Sequence, residues 1–124
     1  MNAKLSMILR ILLGLMLVVF GANHIHSFMP PMALPTAAGN FMMAMMATGY
    51  FLKFVGIYLV ILGLLLIFKK WVPFALIVLA PFSVNVLLFH LALAPSAIII
   101  AVIVAVLNIL LIYDNWGSYK ELFT

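Results

Sequence analysis

The stretch PFALIVLAPFSVNVLLFHLALAPSAIIIAVIVAVLNILLIY, residues 73–113, contains no acidic residue, lysine or arginine. A membrane-spanning helix needs about 20 apolar residues, so this stretch is long enough for two. Leu93-Ala94-Pro95-Ser96 interrupts it and indicates a very short turn. The stretch therefore predicts two antiparallel neighbouring spans, at about 73–93 and 96–113.

Two more apolar runs precede this stretch, at about 5–22 and 49–68. A signal peptide is the alternative for the first run, but Phe20-Gly21-Ala22 is a poor cleavage site. The second run ends at Lys69-Lys70-Trp71. The prediction is an all-α membrane protein, with residues 1–124 forming one domain, an antiparallel four-helix transmembrane bundle.

The composition excludes most other classes of protein. Of the 124 residues, 69% are hydrophobic and 6% are charged, whereas soluble domains carry about 25% charged residues and disordered chains have low hydrophobicity. The absence of cysteine excludes disulfides, thiol redox chemistry and thiolate metal sites. No basic cluster exceeds Lys69-Lys70, so the sequence does not support nucleic-acid binding.

Residues 23–47 have a different character from the spans. They contain three prolines and no acidic residue, lysine or arginine, yet they are rich in methionine and phenylalanine. They are predicted to form an interfacial segment between helices 1 and 2, or to fold back over the bundle. Asn40 is predicted to cap a helix that begins at Phe41 and continues into the second span.

The basic residues predict the orientation. Five of the six fall on one side of a four-span arrangement, and Lys53 falls toward the other. The positive-inside rule then places both termini and the 69–72 loop in the cytoplasm, with the protein in the cytoplasmic (inner) membrane. The five residues are Lys4, Arg10, Lys69, Lys70 and Lys120.

Glycines recur every seven residues in two spans, as Gly14 and Gly21 and as Gly49, Gly56 and Gly63. Seven residues make two helical turns, so each set lies on one helix face. Small residues allow helix backbones to approach closely in a membrane. The two rows are therefore predicted to be helix-packing faces.

Polar residues at membrane depth are costly and need an explanation. Arg10 is predicted to extend to the inner headgroups, or to pair with Asp114 or with the carbonyl end of the fourth span. Asn108 lies at a similar depth and is predicted to join the polar contacts of Arg10, which is a structural role. Lys53 either extends outward to water or supplies a positive charge to an anionic headgroup or substrate.

Four polar residues share the predicted outer half of the protein: Asn23, His24, Asn85 and His90. In one interpretation they hydrogen-bond between helices or to backbone freed by Pro81. In another they bind a quinone or similar amphipathic ligand between aromatic walls. Those walls would be Phe20, Phe28, Phe82 and Phe89.

A third interpretation is a metal site in the same region. His24 and His90, on different helices, could ligate a haem, and the histidines with Met29 and Met32 could bind copper. No regular ligand spacing supports either site, so neither haem nor copper is expected.

For any shared ligand site, the positions of Asn85 and His90 on their helix are a difficulty. The two residues are about 140° apart around the helix, which argues against both touching one ligand.

The residues resemble the DoxX-like family of small membrane proteins. Arg10-Ile-Leu-Leu-Gly14 with Phe20-Gly21-Ala22-Asn23-His24 is similar to the family's first helix, and Met45 to Gly63 resembles its second. The stretch PFSVNVLLFHLALAP, residues 81–95, is similar to its third helix and following turn, and the part from Asn85 to Pro95 is the most specific. The resemblance spans nearly the whole chain and implies a four-helix integral membrane protein.

Some relatives are described as small subunits of a thiosulfate:quinone oxidoreductase, and others are linked to membrane oxidoreductase complexes. This chain departs from the family pattern in its second helix. Many members carry a glutamate there, in Gly-x-x-Glu-x-x-Gly-Gly, where this chain has Leu59. Since no acidic residue precedes Asp114, catalysis by a buried carboxylate is excluded in the membrane region.

The functional prediction is an integral membrane subunit associated with membrane redox metabolism, which binds a quinone or a similar amphipathic ligand in the outer half of the bundle. Its expected partners are membrane lipids, a quinone and a redox protein, and any enzyme activity would be quinone-linked oxidoreduction. The alternative is a non-enzymatic lipid-binding, small-molecule-binding or assembly protein, which could be a homodimer. The predicted site residues are Asn23, His24, Asn85, His90, Phe20 and Phe89.

Overall fold

The computed structural model describes residues 2–26 and 36–123, and all regular structure in these residues is helical. Helices lie at the four predicted spans, with ends within three residues of the predicted ones. The α-helices are α1 (Ala3–Ile25), α2 (Thr36–Ala47), α3 (Phe51–Ile67), α4 (Val72–Leu93) and α5 (Ile98–Asp114). Short 3-10 turns cover Pro95–Ala97, Trp116–Ser118 and Lys120–Phe123.

Two of these helices, α1 with 23 residues and α4 with 22, are long and apolar enough to cross a membrane. A third crossing results if α2 and α3, which meet at a bend, are counted as one broken span. The fourth apolar helix, α5, has 17 residues. The all-helical prediction is confirmed for the described residues, which contain two helices that could span a membrane, or three if the bent pair is one span.

A close backbone contact joins α1 and α3 through paired glycines. A Cβ atom on Gly21 would lie 2.7 Å from the carbonyl oxygen of Gly56, and one on Gly14 would lie 2.8 Å from that of Gly63. Any side chain at these positions would therefore push the backbones apart. The pairing runs in opposite directions along the two helices, so α1 and α3 are antiparallel. The predicted packing role of these four glycines is confirmed.

Gly49, predicted to continue the second glycine row, lies instead in the turn between α2 and α3. Its φ of +80° suits glycine, and the Thr48 hydroxyl accepts a hydrogen bond from the Phe51 backbone N–H at 3.0 Å. This turn, residues 48–50, is called the elbow here. It bends the chain by 91°, so the prediction of one continuous helix into the second span is wrong.

The start of α2 also differs from the prediction. The helix begins at Thr36 and not at Phe41, so Asn40 lies inside it and does not cap it. Ala38, in the first turn, is fully buried. Packing of this turn against the rest of the molecule holds the earlier residues in the helix, and a capping pattern does not report such packing.

The remaining helix contacts form a ring, in which α1 packs on α3 and α5, and α4 packs on the same two helices. The buried core is built from leucines that all four helices contribute, among them Leu17, Leu59, Leu79 and Leu111. Asn108, on α5 and 2% exposed, donates a hydrogen bond to the Leu76 carbonyl of α4 at 3.0 Å.

The α3–α4 turn and both chain ends lie at one end of this ring, called the basic end here. The Ser6 hydroxyl donates a hydrogen bond to the Asp114 carboxylate at 2.6 Å. The Tyr119 hydroxyl donates one to the Pro73 carbonyl at 2.5 Å. These bonds tie the start of α1 to the end of α5, and the C-terminal tail to the start of α4.

Arg10 corrects one sequence prediction at this end. Its buried guanidinium donates to the Leu66 carbonyl and, at 3.4 Å, to that of Ile67. Those carbonyls belong to the end of α3, whereas the sequence prediction paired Arg10 with Asp114 or with the carbonyl end of the fourth span. A cation beside the C-terminus of a helix is stabilised by the helix dipole, so Arg10 acts as a cap that α1 supplies to α3.

Candidate functional site

A cleft opens at the opposite end of the ring, beside the elbow, and is called the elbow cleft here. Its volume is about 420 Å³. The end of α1, one face of α2 and the start of α3 form its walls. The lining residues are Asn23, His24, Ile25, Met42, Met46, Gly49, Tyr50, Leu52 and Lys53. The cleft therefore combines four side chains that carry polar groups, Asn23, His24, Tyr50 and Lys53, with walls of methionine, leucine and isoleucine.

His24 is half-buried, and its ring is held by its own helix. The Nδ1 atom lies 2.7 Å from the Phe20 carbonyl oxygen. A carbonyl oxygen can only accept a hydrogen bond, so Nδ1 carries the proton in this contact. The ring orientation is thereby fixed, and Nε2 is the atom left for other partners.

The register of the glycine pairs places Lys53 opposite His24. Gly21 opposes Gly56, so the same antiparallel register places residue 24 opposite residue 53, one turn beyond the glycines. The Cβ position of Gly56 is 3.1 Å from the Cβ of His24, which shows how close the helices are here. Lys53 is exposed, and both acidic residues of the chain, Asp114 and Glu121, follow α5 or end it. The cleft is therefore positively charged.

Asn85 and His90, predicted to share the site, do not line this cleft. Asn85 is exposed, and its amide donates to the Pro81 carbonyl at 2.8 Å. The Nδ1 of His90 lies 3.3 Å from the Ala94 carbonyl oxygen. Each of these contacts stays within α4 or its C-cap, so the structure does not bring the two residues together with Asn23 and His24 in one cavity.

The predicted aromatic walls separate in the same way. Phe20 contributes its carbonyl to His24. Phe89, on α4, packs against Phe41 of α2 with ring centroids 5.6 Å apart, so α2 reaches from α3 across to α4. Phe82 packs on Tyr58 of α3, at 6.3 Å. Phe28 lies outside the described residues.

The third interpretation of the polar residues was a metal site, which requires several ligating side chains close together. Within residues 2–26 and 36–123, no three histidine or acidic side chains come together in a group that could hold a metal ion. The copper alternative involved Met29 and Met32, which fall outside those residues. The polar side chains that line the elbow cleft carry one imidazole, one amide, one phenol hydroxyl and one ammonium group, a set suited to oxygen atoms of an organic ligand.

The sequence prediction of the site missed Lys53, Tyr50, Met42 and Met46. Lys53 had been assigned an anionic headgroup or substrate as one of two roles, but not to the same site as His24. A signal for the pair is present in the sequence: reading the two glycine rows as antiparallel partners places His24 opposite Lys53. The methionines depend on the elbow, which the sequence prediction did not include.

Comparison of the chain with protein-family models, curated proteins and solved structures found no match.

Proposed function

We propose that α1, α3, α4 and α5 form an antiparallel four-helix transmembrane bundle in the cytoplasmic membrane, with both termini in the cytoplasm. The ring of helix contacts and the common end of both termini support this arrangement. The concentration of basic residues at that end supports the orientation through the positive-inside rule. The 91° bend supports an interfacial position for α2, perpendicular to α3.

Within this bundle, we propose that the elbow cleft binds a quinone or a similar amphipathic ligand. The observation that carries the proposal is a cleft of about 420 Å³ with polar heads at Asn23, His24 and Lys53 and apolar walls at Met42 and Met46. Ligand sites combine apolar walls with a few polar groups that fix orientation. A ring with polar oxygens and an apolar tail matches both parts.

The redox role follows from the ligand and from the resemblance to DoxX-like proteins. The chain has no cysteine, and no carboxylate lies before Asp114. Electron transfer would thus rest on the bound ligand and on a partner protein, while the chain orients the ligand. We propose a redox-associated subunit with a partner enzyme, which cross-linking in native membranes would capture.

Thermal unfolding of the purified protein with an added short-chain benzoquinone tests the site. At a free concentration of about 100 times Kd, a ligand that binds the folded state stabilises it by about 2.7 kcal/mol. We expect His24→Phe to lose most of this stabilisation and the matched change His90→Phe to retain it. Loss in both variants would support the wider predicted site, with Asn85, His90 and Phe89. No stabilisation of the wild type would contradict quinone binding.

Lys53 favours a second candidate function, binding of an anionic lipid headgroup without enzyme activity. The same unfolding experiment separates the two, with phosphatidylglycerol and phosphatidylcholine in place of the quinone. Stabilisation by phosphatidylglycerol alone, lost in Lys53→Gln, would favour the lipid. Stabilisation by the benzoquinone that depends on His24 favours the first proposal.

A further inference from the structure

The hydrogen bond between His24 and the Phe20 carbonyl determines what His24 can offer a ligand. A neutral imidazole carries one N–H, and the 2.7 Å contact uses it at Nδ1. Nε2 then has a lone pair and no proton. A neutral His24 therefore accepts a hydrogen bond in the elbow cleft and cannot donate one.

The two redox forms of a quinone-class ligand differ in this property. The oxidised ring carries carbonyl oxygens, which only accept hydrogen bonds, whereas the reduced ring carries hydroxyl groups, which also donate. A hydroxyl can donate to Nε2 of His24. A carbonyl at the same place would face a second lone pair, and both groups would lose hydrogen bonds that they make in water.

The other polar heads of the elbow cleft do not distinguish the two forms. The Lys53 ammonium only donates, and both carbonyl and hydroxyl oxygens accept. The Asn23 amide and the Tyr50 hydroxyl, which also lines the cleft, are each of a type that contains a donor and an acceptor, so neither type of group is specific to one form. Discrimination between the forms thus depends on His24.

We infer that the elbow cleft selects the reduced, hydroxyl-bearing form of its quinone-class ligand through Nε2 of His24. The inference rests on the proposed function, since it presupposes that such a ligand enters the cleft. One hydrogen bond made with the hydroxyl and lost with the carbonyl corresponds to a preference of about five-fold.

The test is a comparison of two affinities, for a short-chain benzoquinol and for the matching benzoquinone. The protein is held in lipid nanodiscs under argon at about pH 8, where histidine side chains are ordinarily neutral. We expect the wild type to bind the quinol about five-fold more tightly. His24→Phe should bind both forms equally, and the matched change His90→Phe should keep the preference.

The contrary outcomes separate the inference from the proposed function. Equal binding of the two forms by the wild type, or tighter binding of the quinone, overturns the inference and leaves the ligand site standing. Binding of neither form removes both. Nitrogen-15 NMR of labelled histidine gives an independent readout, because the inference requires the proton of His24 on Nδ1. A proton on Nε2 would overturn it without any ligand measurement.

Discussion

At the basic end of the molecule, Arg10, Ser6 and Tyr119 bond to a different helix or segment, whereas the two histidines near the cleft end bond to their own helix or its C-cap. Arg10 reaches from α1 to α3, and Tyr119 from the tail to α4. At the cleft end, His24 bonds to Phe20 and His90 to Ala94, four residues away in each case.

This difference separates two uses of polarity in an apolar chain. Cross-helix bonds at the basic end hold the helices at fixed positions, so those side chains are committed to the fold. Local bonds at the cleft end orient a side chain without joining helices. Between the ends, Gly21 and Gly56 hold α1 against α3 by packing of their backbones.

The largest expected effect comes from filling the backbone contact next to the cleft. Gly21→Ala places a Cβ 2.7 Å from the Gly56 carbonyl oxygen and 2.9 Å from the Val60 backbone nitrogen. Because both are backbone atoms, the helices must separate, and we expect a loss of about 2–3 kcal/mol. Unfolding in detergent with increasing SDS measures it.

The matched control is Gly39→Ala in α2, where a Cβ meets no atom within 4 Å. Alanine favours a helix over glycine, so this variant should gain about 0.5–1 kcal/mol. Similar losses in both variants would mean that helix packing does not distinguish the α1–α3 contact from α2.

A smaller effect is expected at the basic end from Arg10→Met. The change leaves the Leu66 and Ile67 carbonyls without their charged donor, but it also removes the cost of burying a cation. The first effect outweighs the second because helix-end carbonyls stay buried, and we expect a loss of about 2 kcal/mol. The exposed Lys4→Met serves as the control, and SDS unfolding compares them. An unchanged Arg10→Met would show that this end is held by packing as well.

The smallest effect is expected from Tyr119→Phe, which removes the bond to the Pro73 carbonyl and should cost about 1 kcal/mol. Burial raises the pKa of the Tyr119 hydroxyl from its ordinary value near 10 to about 12. The raised pKa favours the neutral hydroxyl in the folded state. The advantage over Tyr119→Phe is therefore complete below about pH 10 and is lost between about pH 10 and pH 12.

Unfolding of the wild type and of Tyr119→Phe at increasing pH tests whether the stability advantage of Tyr119 falls above pH 10. Tyr113→Phe is the matched control, because it removes the hydroxyl of a tyrosine whose side chain is 78% exposed. An advantage that grows above pH 10 would contradict the assigned direction.

Much of the fold could be predicted from local pattern. The apolar runs locate α1, α3, α4 and α5, and the spacing of glycines identifies the faces on which α1 and α3 meet. The elbow could not be predicted in this way, because Met45 to Gly49 continue an apolar pattern that suits a longer helix. The helix ends because Gly49 adopts a left-handed backbone, and the Thr48 hydroxyl accepts a hydrogen bond from the Phe51 N–H at the start of the next helix, α3.

The candidate site was predicted in part for a similar reason. The polarity of Asn23 and His24 at the end of an apolar run singled them out, and these two residues line the elbow cleft. The grouping with Asn85 and His90 came from similar height along helices. A similar position along the helix axis does not determine which face of the helix a residue occupies. In the structure, Asn85 and His90 each contact a backbone carbonyl of α4 or its C-cap.

The lengths of the helices have a consequence for the surrounding lipid. Long and short helices alternate around the ring. The long helices α1 and α4 have 23 and 22 residues, and the short helices α3 and α5 have 17 residues each. At about 1.5 Å per residue, the long pair measures about 34 Å and the short pair about 25 Å. In the proposed bundle, a bilayer with a core of about 30 Å fits neither pair. The lipid beside α3 and α5 must thin, or α1 and α4 must tilt, so the thickness of the host membrane becomes a variable that changes the stability of this protein.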